Sequence, residues 1–145
     1  MKRPAFLLIF VICFLFPPPH AQSAAEIESL LSEKTITCEQ AAYLTLAVAM
    51  AVPREEAFAV ARERGWIRQK LQGEDPITAG DLSLLIMKAF DINGGLMYRL
   101  TGSRRYAFRE MKHSGIFSDR SYPNQLISGE QFLQILDDIT EGKHE

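Results

Sequence analysis

The sequence predicts an all-α protein: a compact helical bundle of pseudo-repeated helix–short helix–loop–helix units with five main helices. Three observations point there. First, one motif occurs three times: an apolar residue, a hydroxyl residue and, three places after the hydroxyl, an acid or amide. It reads Ile36-Thr37 with Gln40, Ile77-Thr78 with Asp81, and Ile127-Ser128 with Gln131. This is the pattern of a capping box: the hydroxyl accepts from an orphan N–H of the first helical turn, and the later side chain reaches back. Second, each copy precedes an apolar run with helical spacing. Third, no alternating run of β-branched and aromatic residues carries hairpin punctuation, so no full strand is expected. A short extended piece is allowed at Trp66-Ile67 or Ile116-Phe117.

The elements follow in order. Lys2 and Arg3, the apolar stretch from Ala5 to Phe16 and then Pro17-Pro18-Pro19 fit a secretory signal peptide over residues 1–23. The stretch is shorter than the roughly 20 residues a bilayer span needs. Ala21-Gln22-Ser23 supplies small residues for a peptidase, so the expected domain is 24–145, with repeat motifs starting near 36, 77 and 127. The stretch Ala24 to Glu33 is either a frayed helix or one that closes the bundle. Thr37 caps a helix in which Ala41, Leu44, Val48 and Ala51 recur. Pro53 starts the next, with Glu55 and Glu56 in its first turn, where the helix dipole favours acids. It stops at Gly65. Thr78 caps a helix carrying Leu82, Leu85, Ile86 and Phe90. Asn93-Gly94-Gly95 and the residues to Leu100 form an irregular insertion. A helix from Ser103 to His113 ends at Gly115, and Ser128 caps the last, with Phe132, Ile135, Leu136 and Ile139 on one face.

The second and third motifs belong to longer matching stretches. Ala57-Phe58 matches Ala107-Phe108, Gly65 matches Gly115, and Ile77 matches Ile127, all 50 residues apart. A duplicated unit of this kind builds a binding or scaffolding surface more readily than a single catalytic centre.

Loss of Lys2 and Arg3 moves the formal charge from −2 to −4. Cys38 is then the sole cysteine, which excludes an internal disulfide. It is expected to be a buried small hydrophobe. Nucleophile-elbow and zinc-protease motifs are missing, and His113 has no partner at metal-ligand spacing. The stretch from Asp119 to Glu130 only partly imitates a calcium loop, because Pro123 supplies no side-chain oxygen. The expectation is therefore no enzyme, no cofactor, no metal, no nucleic-acid partner and no stable transmembrane span after signal cleavage.

Capping boxes followed by helices ending in Gly plus apolar residues, as at Gly65-Trp66-Ile67 and Gly115-Ile116, resemble the S-layer homology domain from about residue 33 to 139. Ile77-Thr78-Ala79-Gly80-Asp81-Leu82 is the nearest match to that family's signature. The resemblance implies a three-repeat helical bundle, export to the periplasm or cell envelope, and a glycan such as peptidoglycan as partner. The family's signature Arg falls at Cys38, Ala79 and Gly129, none of them basic.

The strongest binding candidate is a basic–aromatic stretch: Tyr98, Arg99, Arg104, Arg105, Tyr106, Arg109 and Lys112. Between Arg99 and Lys112 five cations face only Glu110. Arginine forks bind carboxylates and phosphates bidentately, and aromatic faces stack on sugars. A weaker cluster, Arg62, Arg64, Arg68 and Lys70, is expected to meet it on one surface. The alternative is an envelope protein partner held in an apolar groove at Leu96 and Met97, beside Tyr98.

Overall fold

The structure, a computed structural model, describes residues 19–142, with side chains from residue 24. Of the signal peptide expected over residues 1–23, residues 1–18 lie outside the described residues, and residues 19–23 fall within the first helix. Seven helices are found among the described residues: α1 (Pro19–Ser32), α2 (Cys38–Met50), α3 (Arg54–Glu63), α4 (Ala79–Ala89), α5 (Leu96–Thr101), α6 (Arg104–His113) and α7 (Gly129–Thr140). The protein is compact and all-α, with two isolated β-bridges, Thr37 to Pro76 and Thr78 to Leu126. These bridges fall beside the caps, not at Trp66-Ile67 or Ile116-Phe117, where the chain turns. Five helices match the sequence expectation within a residue or two. The other two are α5, where an irregular insertion was expected, and α1, which packs along α7.

All three expected caps form, but in two ways. Thr37 with Gln40 and Ser128 with Gln131 make complete capping boxes. At Thr78 the hydroxyl accepts from the Asp81 N–H, yet the Asp81 carboxylate does not accept from the Thr78 backbone N–H, so the box is incomplete. The carboxylate is engaged elsewhere, as described below.

The starts of α2, α4 and α7 lean on one another in a closed ring. The Cys38 and Glu39 N–H groups donate to the Asp75 and Gly73 carbonyls at 2.8 and 2.9 Å. Those of Ala79 and Gly80 donate to Gln125 and Pro123, both at 2.8 Å, and that of Gly129 donates to Glu33 at 3.1 Å. Two further bonds tie the centre, Ile36 N–H to the Ile127 carbonyl and Ile77 N–H to the Ile36 carbonyl. Orphan donors of three helix starts are thus satisfied by the loop leading to a neighbouring cap. Ile36, Ile77 and Ile127 are buried at the middle of this ring.

Around it, α4 is buried on nearly every side, and α2 and α6 pack against it. A helix apolar all round belongs in a core. After α3 and α6 the chain turns identically. Gly65 and Gly115 take φ of +71° and +83°, a region that glycine enters without steric cost. The following two N–H groups then fold back on Ala61 in one case and on Met111 in the other.

Candidate functional site

α6 begins at Arg104 directly after the extended Ser103 and buries Ala107, Phe108 and Met111. Phe108 packs against Phe117 in a tilted arrangement, with ring centroids 5.1 Å apart and planes at 43°. Helical geometry then turns Arg105, Arg109 and Lys112 outward together.

The two ends of this row are tied down. Arg104 donates to the Asp81 carboxylate at 3.3 Å and to Asn124 Oδ1 at 3.2 Å. Lys112 Nζ donates to the Asp119 carbonyl at 2.6 Å. The bonds to Asn124 and Asp119 clamp α6 to the loop 118–125. Between the clamps, Arg105 and Arg109 are exposed, and neither makes a hydrogen bond or ion pair among the described residues. Arg109 lies over the half-buried Tyr106 ring, 5.7 Å from its centroid. The same loop presents Tyr122, 71% exposed.

Asp81 is the residue that sequence reading assigned only to a cap. Its side chain is 2% exposed, and it accepts from Arg68 through Nε at 2.8 Å and Nη2 at 2.6 Å. It also accepts from Arg104 and from the Thr78 hydroxyl, the latter at 2.6 Å. A buried carboxylate is costly unless paired and hydrogen-bonded, and four donors satisfy it here. The two basic clusters of the sequence therefore do meet, through one arginine each, but around a buried carboxylate. The rest of the weaker cluster disperses: Arg62 lies over Phe58 and Arg64 over Trp66. No local pattern signals the Arg68–Asp81 pair, whose members stand 13 residues apart across a turn.

Tyr98 is not a surface aromatic. It is 5% exposed, packed under Lys88 and beside Gly94, and burial together with the nearby Asp91 charge raises its hydroxyl pKa. Leu96 and Met97 lie on the outer side of the same helix. They sit on α5 facing solvent with Leu100, at 70%, 46% and 71% exposure. Arg99 flanks them, exposed and without a hydrogen bond among the described residues. The caps Thr37, Thr78 and Ser128 hold helix starts.

Cys38 is fully buried. Burial, then the Asp81 and Asp75 charges, push its thiol up to about 12 against a smaller opposing effect of Arg68. A thiol held neutral across physiological pH is a poor nucleophile and metal ligand. Among the described residues no three His, Cys, Asp or Glu side chains converge as metal ligands. No helix among them is long and apolar enough to cross a membrane.

A cleft of about 430 Å³ lies at the start of α2, between α3 and the loop 72–74. Glu39, Glu55 and Glu74 surround it against Arg54, over a floor of Phe58 and Ala59. Moving 50 residues along the chain turns Arg54, Glu55 and Ala59 into Arg104, Arg105 and Arg109. The α6 face is thus the basic counterpart of an acidic cleft. No protein-family model, curated protein or solved structure matches the chain.

Proposed function

We propose that this protein is an exported, non-catalytic module of the cell envelope, built of S-layer-homology-like repeats, that binds or organises an anionic polymer such as peptidoglycan. The outer face of α6 is the binding surface. The observation that carries this reading is the pair Arg105 and Arg109, exposed one helical turn apart between two clamped cations. Holding the helix at both ends presents the two guanidinium forks at fixed spacing, so little freedom is lost when carboxylates or phosphates engage them. Tyr122, on the loop to which the helix is clamped, adds an exposed ring on which a sugar can stack. The positions of the S-layer homology signature Arg are buried here at Cys38, Ala79 and Gly129. Binding through that residue has no equivalent, and the α6 row takes its place.

The test is sedimentation with insoluble cell-wall sacculi at low and high salt. Salt-sensitive co-sedimentation is expected, weakened about tenfold when Arg105 and Arg109 are both changed to Ala, from the loss of charge-assisted hydrogen bonds. Equal sedimentation of the variant with its helical content intact refutes the reading.

A second reading rests on α5. Leu96 and Leu100 are among the most exposed large apolar side chains of the described residues, which favours a protein partner there. Such an apolar contact survives high salt.

A further inference from the structure

We infer that the cleft between the loop 115–125 and α7 is a second binding site, which takes a neutral secondary amide of the polymer held at α6. The inference deepens the polymer reading and rests on it.

The cleft is a space that the preceding repeat fills. It measures about 310 Å³, and Ser118, Gln125 and Gln131 are in its lining. Fifty residues earlier these positions are Arg68, Asp75 and Asp81. The two loops run alike. The Leu71 N–H donates to the Arg68 carbonyl and the Ser121 N–H to the Ser118 carbonyl, both at 3.0 Å. The Asp75 N–H donates to Gln72 at 3.2 Å and the Gln125 N–H to Tyr122 at 3.1 Å. Arg68 crosses from its loop to Asp81, with bonds of 2.8 and 2.6 Å. Ser118 is too short to cross to Gln131, so the equivalent space stays open.

The polar groups left over in this space are donors. Gln131 Oε1 accepts from the Ser128 N–H at 3.3 Å, and Gln125 Oε1 accepts from the Tyr122 N–H at 3.4 Å. Those bonds fix which way each side-chain amide is turned and leave both NH2 groups over. Neither NH2 group bonds to anything among the described residues. The Ser118 and Ser121 hydroxyls lie 3.1 Å apart, and one donates to the other, so the pair keeps one proton and free lone pairs.

The rest of the lining narrows the ligand. Half-buried Ile116 and the buried Phe117 and Ile135 make its apolar part. The Asp138 carboxylate, also in the lining, disfavours an anion. A secondary amide answers each feature: its carbonyl accepts from the glutamine NH2 groups, its N–H donates to a serine oxygen, and its methyl or methine meets Ile116. Small-molecule sites commonly combine apolar walls with a few placed polar groups in this way. The acetamido group of an amino sugar and the peptide bond of a short stem share this chemistry. Ser118, Ser121 and Gln125 belong to the loop that clamps α6 through Asn124 and Asp119, which ties the amide site to the arginine row.

The experiment is an NMR titration of the isotope-labelled protein, purified from cells expressing the full chain. The probes are an N-acetylglucosamine trimer and, separately, the uncharged peptide N-acetyl-alanyl-alanine amide. Saturable shifts of the Gln125 and Gln131 side-chain NH2 signals are expected. The tighter probe identifies the source of the amide, and a glucose trimer, which has no amide, leaves the signals in place. Gln131→Glu keeps the capping box but exchanges the donor for an acceptor, and is expected to weaken binding at least about tenfold with an unchanged unfolding midpoint. Ser118→Arg with Gln131→Asp copies the arginine–aspartate pair into the cleft and abolishes binding, while thermal unfolding checks that the fold is kept. No shift with either probe overturns the inference, as does an equal response to the glucose trimer or undiminished binding by Gln131→Glu. If sacculi still sediment in that case, the polymer reading stands without an amide site. If the amides bind but sacculi do not sediment, the polymer reading fails and the cleft remains a site.

Discussion

The cleft at the start of α2 and the face at the start of α4 share a backbone and differ in what they present. In each, the first two N–H groups of a capped helix donate to a loop that follows a glycine turn, and a helix opening with an arginine stands alongside. Yet one is an open acidic cleft and the other a basic row clamped to its loop. Arg54 reaches Glu26 of α1 and lies over the Tyr43 ring, whereas its counterpart Arg104 turns into the protein toward Asp81 and Asn124. The contrast teaches that hydrogen bonds and core side chains set the frame, while outward positions are free to take either sign of charge. Charge at those positions costs little stability and decides what can bind.

The same contrast can be broken first at Asp81. Its counterpart 50 residues on is Gln131, an exposed capping residue. Asp81→Ala is expected to cost about 3 kcal/mol in denaturant unfolding, at the lower end for breaking a buried charge network because Arg68 and Arg104 can swing into water. Gln131→Ala should cost about 1 kcal/mol, the worth of a cap interaction. Equal costs would mean that the buried network contributes nothing beyond capping.

A third helix start sharpens the comparison. Gly129 stands where the other two carry Cys38 and Ala79, because α1 passes close by. A Cβ there would lie 1.6 Å from the Leu30 carbonyl oxygen. Gly129→Ala therefore has to push α1 off α7, losing the buried Leu30 contact and the bond from the residue 129 N–H to Glu33, about 2–3 kcal/mol in all. Limited proteolysis within α1 and the unfolding midpoint read this out. An unchanged digestion pattern would show that α1 is not held at this point.

The smallest stability effect is expected from moving one surface onto the other. Glu55→Arg with Ala59→Arg copies the α6 row onto α3. Both positions are exposed, so stability should shift by less than about 0.5 kcal/mol. Sacculus binding should rise severalfold if charge presented on this frame is what the polymer recognises. A gain in the variant with no loss in Arg105→Ala, Arg109→Ala would place the natural contact elsewhere.

Much of the fold is legible along the chain because its signals are local. A cap and its partner lie three residues apart, a helix face repeats every three or four, and a glycine turn needs one residue with positive φ. Five helices, three caps and two turns follow from such patterns. α5 escapes them because it is only six residues long, sits between glycines and keeps its leucines in water, so neither length nor amphipathic spacing marks it. The candidate surface was half legible: its cations cluster in sequence, but clustering says nothing about which of them are already engaged.

The sequence by itself determined that this chain is helical, where most helices begin and end, and that its cations gather around α6. Only the tertiary structure decided that Asp81 is a buried hub, that Arg104 and Lys112 are clamps, that Tyr98 is core and that Leu96 and Leu100 face solvent. The division follows from the range of the forces involved. Capping and helical periodicity act between near neighbours in the chain, whereas burial of a carboxylate or a ring depends on segments that meet only once the three helix starts close on one another.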